Sequence, residues 1–196
     1  PMPLTLALAV APAEEPITLA EAKLQARVEV STDDTLITSL ITAARELIEE
    51  QAWRALVTQR WDYYLDAWPA ADTILLPRPP LRSIVTFEYT DDAGATTAIS
   101  ASDYIVDAVS EPGRLRLKSA AEWPTAALRE LNAIHIRFEA GYGAAAAVPT
   151  RYKQALKLLV GHWYENREAI LATGAIPKEL PLGVKALLNI DHARTF

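Results

Sequence analysis

PTRYKQALKLLVGHWYENREAI, Pro149 to Ile170, reads as one helix with apolar residues on more than one face. Tyr152, Leu156, Leu159 and Trp163 fall on a single stripe at helical spacing, and Ala155, Leu158 and His162 on an adjacent one. One stripe serves the chain's own core, and the second is expected to face another subunit. Pro149 at the helix start, with Gly174 and Pro177 beyond its end, brackets an element expected over 149–171.

Working back toward the N-terminus, T-L-A-E at Thr18 to Glu21 is a capping box, in which the Thr18 hydroxyl and the Glu21 carboxylate satisfy each other's backbone donors. It opens a helix running to about Glu29. Ser31, Thr32, Asp33 and Asp34 break that helix and cap the next, where Leu36, Ile37, Leu40, Ile41, Ala44, Leu47 and Ile48 recur at three- and four-residue steps. An αα-hairpin is expected over 17–56, preceded by an extended segment over 1–16 in which Leu4, Leu6, Leu8 and Val10 alternate.

From Val57 the pattern changes to period two and to β-prone residues. Pro77, Pro79 and Pro80 exclude a central strand and mark a corner between Ile74–Leu76 and Ser83–Tyr89. Asp91-Asp92-Ala93-Gly94 is a hairpin turn leading to Thr96–Ile99. Strands at 103–107, 113–117 and 133–139 complete a sheet of about six members. Alternation in Arg114-Leu115-Arg116-Leu117 and Ile134-His135-Ile136-Arg137-Phe138 gives that sheet one wet and one buried face. Gly141 and Gly143 allow a sharp change of direction before the long helix, and 172–196 is a C-terminal segment with a short helix near Leu180–Ile190. The expected fold class is α+β: an N-terminal helical hairpin and a long C-terminal helix packed together, with an antiparallel β insertion over 57–143 between them.

The 196 residues and 51% apolar content suffice for a proper core, and the absence of cysteine removes disulfides and thiolate metal chemistry. The N-terminal apolar run has no preceding Lys or Arg and is too short to span a bilayer, so neither a signal peptide nor a membrane association is expected. A net charge of −6 argues against a general or sequence-specific nucleic-acid binder. The charge is uneven: residues 150–196 carry 7 basic and 4 acidic side chains, whereas both preceding regions are acidic.

Chemistry is sparse. The chain has no GxxxxGK[ST], GxGxxG or GxSxG motif, and His135, His162 and His192 lack the spacing of a zinc pair. Asp33-Asp34 and Asp91-Asp92 fall where caps and turns use aspartate anyway. No catalytic residue, metal or cofactor is expected. Five tryptophans, Trp53, Trp61, Trp68, Trp123 and Trp163, fit a core, an interface or a ligand groove. Near the helix end His162, Trp163, Tyr164, Glu165 and Arg167 form the candidate subunit interface.

Several phrases in order resemble a known family: TLAEAKLQARVE at Thr18–Glu29, DDTLITSLITAARELIEE at Asp33–Glu50, LPRPPLRSI at Leu76–Ile84, and FEAGYG followed by VPTRYKQALKLLVGHWYENRE. Over about residues 17–170 the chain resembles the head-tail connector, or adaptor, proteins of long-tailed bacteriophages, prophages and gene transfer agents. That resemblance implies a structural virion protein of the neck, assembled in the bacterial cytoplasm, forming a homo-oligomeric ring of about twelve copies beneath the portal. Its implied partners are the portal protein and the next neck or tail protein, with DNA passing through the ring. It also implies that the C-terminal segment reaches the portal, which makes Leu182, Lys185, Leu187, Leu188, Arg194 and Phe196 the candidate contacts. Other neck, tail-completion or capsid-stabilising proteins are the alternative, and a small ligand-binding or hydrolase domain using the Trp-rich sheet is a third reading.

Overall fold

The computed structural model describes residues 5–166 and 182–188. The chain forms two compact units and crosses between them three times. One unit comprises Thr58–Gly141 with the N-terminal segment up to Ala13; the other comprises Glu14–Val57 with the segment from Tyr142 onward.

The first unit is built of two antiparallel sheets. Strands β1 (Thr5–Val10), β2 (Gln59–Leu65), β4 (Leu81–Thr90), β5 (Thr96–Ala98) and β8 (Ile134–Ala140) form a five-stranded sheet in the order β1-β2-β8-β4-β5. Strands β3 (Thr73–Leu76), β6 (Tyr104–Asp107) and β7 (Gly113–Leu117) form a second sheet in the order β3-β7-β6. The central strand of each sheet alternates most regularly. Ile134, Ile136, Phe138 and Ala140 are buried along β8, and Gly113, Leu115 and Leu117 along β7. A central strand has neighbours on both edges, so its inward side chains are covered completely while its outward ones share a solvated face. Phe87 of β4 and Tyr104 of β6 meet edge-on at 5.5 Å, so the two sheets share apolar filling. The proline corner at Pro77–Pro80 carries the chain from β3 in one sheet to β4 in the other.

In the second unit, helix α1 (Leu19–Ala26) begins with the capping box read from the sequence: Thr18 N donates to Glu21 Oε2 at 2.9 Å, and Glu21 N donates to Thr18 Oγ1 at 3.2 Å. It ends at Ala26, with Arg27 in a left-handed conformation (φ 55°) as its C-cap, four residues before Ser31. Helix α2 (Asp34–Ala52) buries Ile37, Ile41, Ala44 and Ile48 against Tyr152, Leu156 and Leu159 of helix α3 (Thr150–Glu165). Helix α4 (Leu182–Leu188) adds Val184 and Leu188 to the same core. Gly141 and Gly143, both at φ 123°, make the change of direction before α3 in a region that favours glycine.

The fold-class expectation is corrected by this arrangement. The described residues form a mostly β protein, eight strands in two antiparallel sheets with four short helices, and not a helical hairpin and long C-terminal helix carrying a β insertion. Strand β1 precedes every helix yet pairs with β2, Thr5 opposite Tyr64 and Leu8 opposite Trp61, so the sheet draws on both sides of the hairpin sequence. The single sheet of about six strands is two sheets. Of the helix expected over 149–171, the described part is Thr150–Glu165, closed at Asn166 (φ −114°, ψ 68°), whose side-chain amide donates to the His162 carbonyl at 2.9 Å; residues 167–171 lie outside the described residues. Of the two stripes on α3, Tyr152, Leu156 and Leu159 point into the core. Ala155 of the other stripe is buried too, and Leu158 packs beside Gly183 of α4, so this chain covers much of the face that the sequence assigns to a neighbour.

Candidate functional site

The C-terminal turn of α3 brings His162, Trp163, Tyr164 and Glu165 together; Arg167 lies outside the described residues. Trp163 and Tyr164 are half-buried against the helical core, and Glu165 is exposed. The Tyr164 hydroxyl donates to Asp33 Oδ2 at 2.6 Å, fixing the end of α3 to the turn between α1 and α2. Asp33 occupies the N-cap position of α2 without making the side-chain cap bond, because its carboxylate serves Tyr164. Asp34 is paired with Lys23 at 2.6 Å.

Of the residues expected to meet a portal, Leu182 opens α4, Lys185 and Leu187 are half-buried on it, and Leu188 is buried in the chain's own core. Arg194 and Phe196 lie outside the described residues.

Sequence reasoning missed an ionic network on the outer face of the five-stranded sheet. Arg137 of β8 donates to both oxygens of Asp62 on β2, each at 2.7 Å. His135 places Nε2 at 2.9 Å from Asp62 Oδ1 and Nδ1 at 2.9 Å from Glu88 Oε1 of β4. Tyr64 stacks on its ring at 4.8 Å. The bonds from Arg137 hold the Asp62 carboxyl below the usual carboxylate range, with His135 adding to the effect against partial burial. The alternation around His135 signals a wet face, but only the register, Asp62 opposite Arg137 and Glu88 opposite His135, brings these charges together. Asp62, Glu88, His135 and Arg137 thus hydrogen-bond to one another across three strands.

Two tryptophans work inside the β unit. Trp68 and Trp123 stack at 4.8 Å and 7°, flanked edge-on by Phe87, and Trp123 Nε1 donates to the Ala71 carbonyl at 3.2 Å. Trp61 lies under the Arg78 guanidinium at 5.1 Å. Among the described residues no group of three or more His, Asp or Glu is placed to hold a metal ion, and no helix is long and apolar enough to cross a membrane.

The outer face of the three-stranded sheet carries a second cluster. Asp107 accepts from Arg114 Nε and Nη2 at 2.9 and 2.6 Å, from the Ser110 hydroxyl at 2.7 Å, and from the backbone of Val109 and Ser110 at 3.0 Å each. The Ser110 hydroxyl and then Arg114 hold its carboxyl far below the usual range. This arrangement is a folded ion pair and turn brace, and it fixes the β6–β7 loop.

The head completion protein family matches residues 15–175. No curated protein matches the sequence. Among solved structures, a chain in the neck of an empty gene transfer agent particle, computed with sixfold symmetry, is similar with a TM-score of 0.80 at 26% identity, over 98% of this chain and 96% of that one. A chain in the virion of a native gene transfer agent particle gives 0.80 at 24% identity, over 98% and 97%. A chain in the neck of a native particle computed with twelvefold symmetry gives 0.70 at 25%, over 96% of each. The resemblance carried by the ordered sequence phrases therefore holds, and this chain belongs to the head completion protein family.

Proposed function

We propose that this chain is the subunit of a neck ring that sits beneath the portal and carries the next neck or tail protein, acting by shape and contact without catalysis. It is a structural head-tail connector protein of the virion neck. The observation that carries the ring reading is the match along nearly the whole chain to subunits of necks with sixfold and twelvefold symmetry. Cyclic symmetry needs two different surfaces on each subunit, one for each neighbour.

On this reading His162, Trp163, Tyr164, Glu165 and Arg167 contribute to the contact between subunits. Leu182 and the half-buried Lys185 and Leu187 of α4, with Arg194 and Phe196 further along the sequence, supply the portal contact. Leu188 anchors α4 from within. The basic character of residues 150–196 suits an acidic docking surface.

Electron microscopy of the purified chain mixed with its cognate portal tests the proposal. A closed ring on the portal is expected. Absence of any ring at saturating chain concentration, with both proteins folded, would refute it. Deleting residues 189–196 retains α4 and its core side chains, and is expected to weaken portal attachment at least tenfold; undiminished attachment would remove Arg194 and Phe196 from the contact.

A further inference from the structure

Two surfaces of this chain, one in each unit, have complementary chemistry. On the outer face of the three-stranded sheet the register lines up Thr73, Arg116 and Ile105 in one row and Leu75, Arg114 and Asp107 in the next. Five of these six line a shallow depression of about 140 Å³, Leu75 standing outside it. Arg114 is neutralised by Asp107, whereas Arg116 is exposed and has no hydrogen bond or ion pair among the described residues. Exposed aliphatic side chains accompany this uncommitted cation: Ile105 is its neighbour across the strands, Leu75 lies in the next row, and Val109 is 94% exposed in the loop that Asp107 braces. A valine held in water by a rigid turn is presented at little further entropic cost to a partner.

The other surface is the corner between α1 and α2. Leu24 is 82% exposed and Val30 59% exposed, and between them in sequence Glu29 is exposed with no hydrogen bond or ion pair among the described residues. Asp33 and Asp34 nearby are both engaged, by Tyr164 and Lys23, so Glu29 is the open carboxylate of the corner. The turn is fixed by Val28 N donating to the Lys23 carbonyl at 3.0 Å. Through the Tyr164–Asp33 bond the corner is continuous with the His162–Glu165 end of α3.

We infer that in the ring the β7 face of one copy docks on the α1–α2 corner of the next, with Arg116 meeting Glu29 and the aliphatic side chains of Leu75, Ile105 and Val109 packing on Leu24 and Val30. The inference rests on the ring reading and assigns its two surfaces. The occupant is a second copy because the chain itself carries the complementary pair, an open guanidinium and an open carboxylate, each among exposed aliphatic residues. A DNA backbone is a poorer fit: phosphate tracking needs clustered cations, and this face offers a single open one beside apolar side chains.

The absence of native cysteine makes the test direct. Full-length Val109→Cys and Val30→Cys variants, mixed on the cognate portal under mild oxidation, are expected to give a disulfide-linked dimer containing one chain of each kind, at least tenfold above either variant alone. A chain carrying both substitutions is expected to give a ladder of higher oligomers. Charge reversal supplies the second arm: Arg116→Glu and Glu29→Lys are each expected to lower ring yield at least tenfold, and their combination to restore it. Rings that form in the wild type and in both single reversals, with no mixed disulfide, would overturn the contact while leaving the neck reading intact; failure of the wild type to form rings would instead refute that reading. Loss of duplex DNA retention in Arg116→Glu with ring yield unchanged would also overturn the contact, in favour of a nucleic-acid role.

Discussion

Arg45 and Glu49, one turn apart on α2, form an ion pair at 2.9 Å with side-chain exposures of only 5% and 7%. The same carboxylate accepts from Leu56 N at 2.8 Å, and the guanidinium reaches Glu15 at 2.9 Å. Glu49 thereby ties the helix to the segment that follows it, while Arg45 ties it to the segment that precedes α1. Desolvation opposes the charge on Arg45, but the Coulombic attraction of Glu49 and Glu15 outweighs it and raises its pKa.

Removing Glu49 takes away the buried partner of Arg45 and the acceptor of Leu56 N, and leaves the buried guanidinium to the more exposed Glu15. Glu49→Ala is expected to cost about 3–5 kcal/mol, and Arg45→Met with Glu49→Leu together less than the sum of the single changes. Urea denaturation of Glu49→Ala, of Arg45→Met and Glu49→Leu singly, and of their combination measures this, and additive losses would show that the two side chains do not act as a pair.

A second prediction concerns Gly113 on β7. A Cβ placed there would lie 2.5 Å from Leu81 Cβ and 2.7 Å from Leu81 Cδ2. Gly113→Ala is expected to destabilise the β unit by about 1–3 kcal/mol through overpacking. Because the closest atom is the Cβ itself, Leu81→Ala should not relieve the clash; full recovery of thermal stability in that double variant would contradict the packing described.

The capping box gives a pH-dependent prediction. Hydrogen bonding from the Thr18 backbone, then from Lys157, lowers the Glu21 pKa to about 2. A depressed carboxylate stabilises the fold fully above its unfolded pKa and loses that contribution as pH falls through the folded value. The destabilisation caused by Glu21→Ala should therefore be constant near neutral pH and shrink between about pH 4.5 and pH 2. Thr18→Ala should cost about 1 kcal/mol, the usual loss of a cap. A Glu21→Ala penalty that is unchanged at the acid end would show that the carboxylate charge is not what matters.

On the sheet, Asp62→Ala strips an acceptor from both Arg137 and His135. Loss of these charge-assisted bonds is expected to cost about 1.5–3 kcal/mol at neutral pH. Since the Asp62 carboxyl is depressed, that difference should decline as pH falls below the ordinary carboxylate range. Chemical denaturation across pH checks it, and equal stability of variant and wild type at pH 7 would mean that the network contributes nothing.

Legibility in the sequence followed the range of the interaction. The Thr18 capping box and the Asp91–Gly94 turn are set by residues within four positions of each other, and the structure contains both. The alternations in β7 and β8 correctly separate buried from wet positions, because side-chain direction in a strand is a local property. The Asp62–His135–Glu88 network escaped notice because its members are 73 and 47 residues apart and meet only through strand register. The surplus apolar face of α3 was visible, but its surroundings were not: Ala155 is buried in the helical core, and Leu158 packs beside Gly183 of α4, from further along the same chain.

By itself the sequence determined the local grammar of caps, turns and strand faces, and its ordered phrases determined the family. Tertiary structure decided which strands share a sheet, that β1 joins β2 across the intervening helices, and that Tyr152, Leu156 and Leu159 take the inward side of α3. The physical reason is that periodicity specifies which side chains share a face, whereas the partner of that face is chosen by long-range burial and by the closure of loops that no local pattern encodes.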